Sequence, residues 1–190
     1  MQKAKLLLGI FIVLCCSGFA LAQMAPPPAK TPGDALNFDL TIAEHDFVPA
    51  ADAMPEAKYS FAPSSGEFKG VRTFAEQIKH VAAANYSFGA ALLGEKPPVD
   101  LGGENGPESL KTKAEILKFV NDSFAYLHKA LASVTEKNEL DQIDSPFGMK
   151  VARLSLATFS TAHPFDHYGQ VVEYLRMNGI VPPASRPQQK

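Results

Sequence analysis

Apolar side chains recur at steps of three and four along most of the chain, which is the spacing that places them on one face of an α-helix. The pattern is strongest from residue 117 to residue 134, and a capping box, Thr112-x-x-Glu115, marks the start of this helix. No segment alternates apolar and polar residues for long enough to indicate a sheet. We therefore predict an all-α fold. The apolar positions of this strongest helix are Leu117, Val120, Phe124, Leu127, Leu131 and Val134.

Three other segments have helical spacing. A weaker helix is predicted within residues 45–59, interrupted or re-angled at Pro49 and Pro55, and a longer one from about Arg72 to Leu93. Four helices joined by short to medium loops predict an antiparallel four-helix bundle. The longer helix carries the apolar stripe Phe74, Ile78, Val81, Phe88 and Leu92.

The last helical region is predicted from about residue 148 to residue 178, and Gly179 ends it. Pro164 lies in its middle and predicts a kink or a restart, because proline lacks the backbone N–H that the helix needs there. The residues expected to point inward are Leu156, Phe159, Val171 and Tyr174.

The first residues, MQKAKLLLGIFIVLCCSGFALAQ, have the charge, apolar run and small-residue site of a secretory signal peptide over residues 1–22. We expect an exported protein, periplasmic or secreted. The alternative is a retained anchor, but the apolar run of roughly 14 residues is shorter than the ~20 that span a bilayer. We therefore expect no stable membrane span after cleavage. Residues 23–39 are rich in proline and predict an extended linker. We expect residues 40–184 to form the bundle domain and residues 185–190 to form a C-terminal tail.

The composition limits which side chains could bind a metal and which partners the protein could have. Both cysteines, Cys15 and Cys16, lie inside the apolar run, so the mature chain has no thiol and any metal must be held by His, Asp or Glu. The chain has 18 basic and 20 acidic residues, with no basic stripe that could neutralise phosphates. We therefore expect no nucleic acid partner. A homodimer through an exposed apolar face stays open.

The histidines carry the main functional signal. His163 and His167 are four residues apart, so on a helix they project from the same face, as a two-histidine metal clamp does. His80 lies beside the apolar stripe of its own helix and has small neighbours one turn on, which leave space next to the imidazole. Three imidazoles on two facing helices would hold one divalent metal ion with an open coordination position. The alternative is histidines on a partly solvated face. Zinc or nickel suits such ligands, and iron or manganese stays open.

Several polar residues flank this predicted site. Gln170 continues the face of His163 and His167, and Asp166 is expected to be an outer-shell or surface group. His45 and His128 are expected to be ordinary, partly exposed histidines. Residues 102–106, GGENG, lack the lysine of a phosphate-binding loop and predict a flexible turn. The nearest titratable candidates for proton transfer or substrate anchoring are Tyr86, Asp166, Glu173 and Arg176.

Three stretches of the chain together resemble the DinB-like superfamily of metal-binding four-helix bundles, which includes YfiT-like metal-dependent hydrolases and bacterial thiol S-transferases. They are MPEAKYSFAP, VRTFAEQIKHVAAANYSFGAALLG and HPFDHYGQVVEYLRMNGIVPPAS, and the resemblance covers about residues 40–184. It implies a metal triad at His80, His163 and His167.

Three functions follow as hypotheses. The first is a divalent-metal-dependent hydrolase or thiol transferase acting on a small molecule. The second is a non-catalytic periplasmic bundle that binds a metal or small ligand. The third is a structural helical domain in which the histidines are incidental.

Overall fold

A computed structural model describes residues 28–187 of the chain. Helices α1 (Pro32–Ala53), α2 (Phe74–Leu93), α3 (Lys113–Leu131) and α4 (Arg153–Met177) form the bulk of it, with a short hairpin of β1 (Gln142–Asp144) and β2 (Lys150–Ala152) before α4. Two single 3₁₀ turns, Glu56–Lys58 and Pro183–Ser185, complete the elements. The predicted all-α four-helix bundle is confirmed. The predicted signal peptide lies outside the described residues, as do residues 188–190 of the tail.

Helix α1 begins earlier than the sequence pattern predicts. Thr31 and Asp34 form a capping box, and Pro32 occupies the first helical turn, where its missing N–H costs no hydrogen bond. Residues 32–39 are therefore helical, which corrects the prediction of an extended linker as far as residue 39. Pro49 lies within the helix and does not interrupt it, whereas Pro55 follows its end at Met54.

The predicted caps of the next two helices are present. Thr112 and Glu115 exchange the two hydrogen bonds of a capping box at the start of α3. Helix α2 ends at Gly94, whose φ of 70° is the left-handed conformation that glycine adopts without strain. Val134 lies beyond the end of α3 but is fully buried, so its apolar position is explained by packing outside the helix.

The segment before α4 differs from prediction. Residues 148–152, expected to be helical, belong instead to the hairpin, in which Ile143 pairs with Val151. Strands of three residues are too short for alternation to be visible in the sequence. Helix α4 then runs continuously past Pro164, so the predicted restart does not occur. Phe159, expected inside, is 45% exposed.

The helix directions are set by the loop of residues 94–112. This loop returns along α2, because the Lys79 ammonium donates to the Pro107 carbonyl near the start of that helix. As a result α2 and α3 run parallel, and Asn85 and Ser123 face each other at 3.2 Å. The pair α1–α3 is antiparallel, since the start of α3 meets the end of α1 through the ion pair of Lys113 and Asp52 at 2.8 Å. The pair α2–α4 is also antiparallel, since Gln77 near the start of α2 meets Gln170 of α4, whereas Phe88 near the end of α2 meets the earlier Phe159.

One core joins all four helices. Its largest fully buried side chains come from α1, α2, α3, α4 and the turn after α1, and they bury the apolar faces that the periodicity predicted. The fully buried side chains include Phe47, Met54, Phe74, Ile78, Leu92, Phe124, Leu127, Leu131, Leu156 and Leu175.

Among residues 28–187, no helix is long and apolar enough to cross a membrane.

Candidate metal centre

The antiparallel pairing of α2 and α4 brings three histidines together. His80 comes from α2, and His163 and His167 lie one turn apart on α4. One ring nitrogen from each lies within 4.8 Å of the other two. The ring centroids are 4.5 to 5.2 Å apart. The predicted convergence of these three imidazoles is therefore present in the fold.

His80 is oriented by the loop that follows α2. Its Nδ1 lies 2.6 Å from the carbonyl oxygen of Glu104. A carbonyl can only accept, so Nδ1 carries the proton and Nε2 keeps its lone pair for a metal. The loop is held in turn by Arg72, which pairs with the Glu104 carboxylate at 3.0 Å and donates to Asn105 at 3.0 Å.

The same loop is more constrained than a flexible turn. Gly106 has a φ of +73°, and a Cβ at this position would lie 2.5 Å from the Cβ of Lys79. Only glycine allows the loop to approach α2 this closely. Residues 102–106 thus form part of the wall of the site, which corrects the prediction of a flexible turn.

His167 is oriented by a chain of amide side chains. Its Nδ1 lies 2.9 Å from Gln77 Oε1, Gln77 Nε2 donates to Gln170 Oε1 at 2.8 Å, and Gln170 Nε2 donates to Asp166 at 3.4 Å. The Asp166 carboxylate can only accept, which fixes the direction of every bond in the chain. Nδ1 of His167 is therefore protonated, and Nε2 is free to bind a metal.

His163 is the unpartnered member of the trio. Its Nδ1 is buried and has no hydrogen-bond partner among the described residues. The edge of Phe88 packs against its ring, with centroids 5.5 Å apart. Leaving a buried polar atom unsatisfied costs about 1–3 kcal/mol. A bound metal that engages this imidazole would remove part of that cost.

Burial keeps all three rings neutral. Burial first, and then repulsion from a neighbouring charged imidazole, lower the pKa of His163 to about 3 and that of His167 to about 4. Burial also lowers the pKa of His80. At neutral pH each ring therefore has the lone pair that a metal ligand needs. The donor set, three neutral imidazoles with two held from behind, fits one divalent ion.

Only some of the other predicted residues lie near the three histidines. Gln170 and Asp166 reach the site through the amide chain, although Asp166 is exposed. Tyr86 does not reach the site, because its ring packs against Phe119 and Tyr126 on the α3 side of α2.

Glu173 and Arg176 are exposed, one to three turns beyond His167 on α4. Arg176 donates to Ser185 at 3.4 Å, away from the histidines. Within residues 28–187, no hydrogen bond joins either side chain to the three imidazoles. Both side chains face solvent, and their part in proton transfer or substrate anchoring stays a prediction.

His45 is an ordinary exposed histidine, as predicted, and its side chain is 81% exposed. A cavity of about 540 Å³ lies between the end of α2 and the hairpin, but none of the three histidines lines it. The cavity is therefore separate from the metal centre.

Sequence reasoning missed three residues that shape the site, namely Arg72, Gln77 and Glu104. Gln77 is 1% exposed. It lies three residues before His80 at a buried position of α2. A polar side chain at such a position was the feature from which its role could have been predicted. Arg72 and Glu104 had no such signal, because their role depends on the path of the loop.

A family model described as the DinB superfamily matches residues 39–171. The chain belongs to the DinB superfamily. Among solved structures, it is similar to one described as the crystal structure of the mycothiol-dependent maleylpyruvate isomerase, with a TM-score of 0.55 and 17% identity. The match covers 74% of this chain and 60% of that one, and it supports the fold. No curated protein matches the sequence.

Proposed function

We propose that this protein is a divalent-metal-dependent enzyme that holds its metal with His80, His163 and His167 and catalyses hydrolysis or the transfer of a group to or from a thiol. The observation that carries the proposal is the convergence of three neutral imidazoles from two helices. Two of these rings are held in the metal-binding tautomer by partners behind them. The third has a buried nitrogen to which no described residue offers a hydrogen bond. A helical domain with incidental histidines has no use for this arrangement.

The bound metal would act as a Lewis acid on a substrate oxygen or sulfur, and three protein ligands leave a coordination position open for that atom. Other groups of the protein orient the imidazoles and set the charge around them. Gln77 and the Glu104 carbonyl hold the imidazoles of His167 and His80 in place. Arg72 adds a positive charge close enough to lower the pKa of all three rings, which favours an anionic or electron-rich substrate atom.

The identity of the metal and the reaction class follow from general chemistry. Imidazole ligands suit zinc or nickel, and iron or manganese remains an alternative. A solved structure with this fold is named as a mycothiol-dependent isomerase. That name supports the inclusion of thiols among the substrates tested. We also propose that the enzyme acts in the periplasm or outside the cell, because residues 1–22 have the pattern of a signal peptide.

The test uses residues 23–190 produced without a histidine tag. After incubation with zinc, nickel, manganese or iron, elemental analysis should find about one metal ion per chain. A panel of esters and thiol acceptors should then show turnover that a chelator removes and metal restores. The exposed His45→Ala variant is the matched control and should behave as the unmodified protein.

Two results would contradict the proposal. Metal content near zero would end the metal assignment. One metal per chain without turnover on the panel would favour the alternative, a non-catalytic bundle that binds a metal or a small ligand.

A further inference from the structure

Three phenylalanines form an aromatic wall that continues from the metal centre. Phe88 of α2, Phe159 of α4 and Phe147 of the hairpin turn contact one another with ring centroids 5.4 to 5.9 Å apart. The wall meets His163, whose ring centroid is 5.5 Å from that of Phe88 and 6.0 Å from that of Phe159. The imidazole of one candidate ligand and the three phenyl rings are therefore one continuous aromatic cluster.

Two rings of the wall are open to solvent. Phe147 is 52% exposed and Phe159 is 45% exposed, whereas Phe88 is 4% exposed and anchors them. Because large apolar side chains are normally buried, a pair of neighbouring half-exposed rings beside a functional site indicates a binding surface. His163, which the Phe159 ring contacts, is itself only partly buried.

The hairpin turn holds Phe147 in a defined position. Ser145 donates to the Met149 carbonyl through its backbone N–H at 3.0 Å and through its hydroxyl at 2.6 Å. Gly148 closes the turn with a φ of +76°, a conformation that suits glycine. A ring that is ordered before a ligand arrives loses little conformational entropy on binding. The exposure of Phe147 is thus built into the turn.

We propose that Phe147 and Phe159, with His163 at their edge, form a subsite for an aromatic ring or similarly flat apolar group of the substrate. The substrate class is a small molecule in which such a group lies next to an oxygen or sulfur atom that reaches the metal. This inference rests on the proposed function, because it requires a metal with an open position at the three histidines. Offset and edge-to-face contacts between the substrate ring and the two phenylalanines supply the preference.

Two hydroxamates provide a matched pair of probes, since both bind metals through the same group and only benzohydroxamate has a phenyl ring in place of the methyl group of acetohydroxamate. Calorimetric titration of the zinc-loaded protein should show about tenfold tighter binding of benzohydroxamate. Phe147→Ala and Phe159→Ala should each reduce this preference several-fold and leave the affinity for acetohydroxamate unchanged. Phe38→Ala, which removes a 43% exposed phenyl ring from α1, is the control and should keep the full preference.

The outcomes separate the two proposals. Equal affinity for both hydroxamates, or a preference that survives both alanine variants, would overturn the aromatic subsite and leave the metal site standing. Binding of neither compound to protein that carries zinc would overturn the open coordination position, and both proposals with it. Circular dichroism of each variant confirms that it is folded before it is titrated.

Discussion

Among the described residues, histidines lie between paired helices in two groups of polar residues, and the ring nitrogens of the two groups are satisfied in different ways. His128 lies between α1 and α3, where Asn37 binds its Nδ1 at 2.7 Å and Glu44 binds its Nε2 at 3.0 Å. Both ring nitrogens therefore have a protein partner. In the trio between α2 and α4, the residues of 28–187 give the rings of His80 and His167 a hydrogen-bond partner on Nδ1 alone, and they give Nδ1 of His163 none.

The difference separates a histidine that joins two helices from histidines that could hold a metal ion. A ring with a partner on each side holds two helices together and has no lone pair left to offer. A ring held only from behind is oriented yet keeps one nitrogen free, and His80 and His167 are of this kind. One nitrogen of each of these rings and one of His163 lie within 4.8 Å of one another. Burial alone does not make the distinction, because His128 is partly buried, as His80 and His163 are.

The largest effect should come from removing a member of the trio. His80→Ala should lower the affinity for zinc by more than about 100-fold, as His163→Ala and His167→Ala should, because each supplies one ligand of three. Competition with a chromogenic chelator measures the affinity. The His45→Ala protein should be unaffected. Unchanged affinity in His80→Ala would show that the pair on α4 binds metal without α2.

The next effect tests the partner behind His167. Gln77→Leu should weaken zinc binding by about 10- to 100-fold, because the ring of His167 loses the acceptor that fixes its tautomer. Gln77→Glu keeps an acceptor at the same position and should retain most of the affinity. The same chelator competition applies. Equal losses in the two variants would show that Gln77 acts through packing and not through its hydrogen bond.

The third prediction concerns the metal-free protein in acid. The pKa of His163 is lowered to about 3 and that of His167 to about 4, whereas the unfolded chain titrates near ~6.5. Between these values the unfolded state binds more protons, so the free energy of unfolding should fall as the pH falls from about 6.5 towards 4. The slope is at most about 1.4 kcal/mol per pH unit for each histidine.

Urea unfolding of chelator-treated protein at pH 7, 6 and 5 measures this slope. His163→Gln should be less sensitive by about one proton, since glutamine does not titrate. Identical slopes for the two proteins would contradict the buried, neutral state of His163. The lowered values also mean that protons displace the metal from the folded protein at a lower pH than the ~6.5 of free imidazole implies.

The smallest effect should come from His128, the histidine that joins α1 and α3. His128→Ala should lower the free energy of unfolding by about 1–3 kcal/mol, because Asn37 and Glu44 lose their shared partner. Its affinity for zinc should not change. Urea unfolding and chelator competition on the same preparation test both statements. A loss of zinc binding in this variant would remove the distinction between the two groups.

Much of the fold was open to prediction because its signals are local. The apolar stripes, the capping box at Thr112 and the glycine at the end of α2 each depend on neighbours within one or two turns. The start of α1 was missed although Thr31 and Asp34 form the same kind of box, because the prolines before it indicated a linker. The hairpin was missed because three residues are too few to show a period.

For the site, the sequence by itself determined that His163 and His167 share a face, since four residues make about one helical turn. The meeting of His80 with them was implied by the resemblance to the DinB family and was decided by the pairing of α2 with α4. The tertiary structure alone decided that the Glu104 carbonyl, Gln77 and the aromatic wall contact the three histidines. The reason is physical: a helical face is set by bonds along the chain, whereas the partners of a side chain depend on where distant loops return.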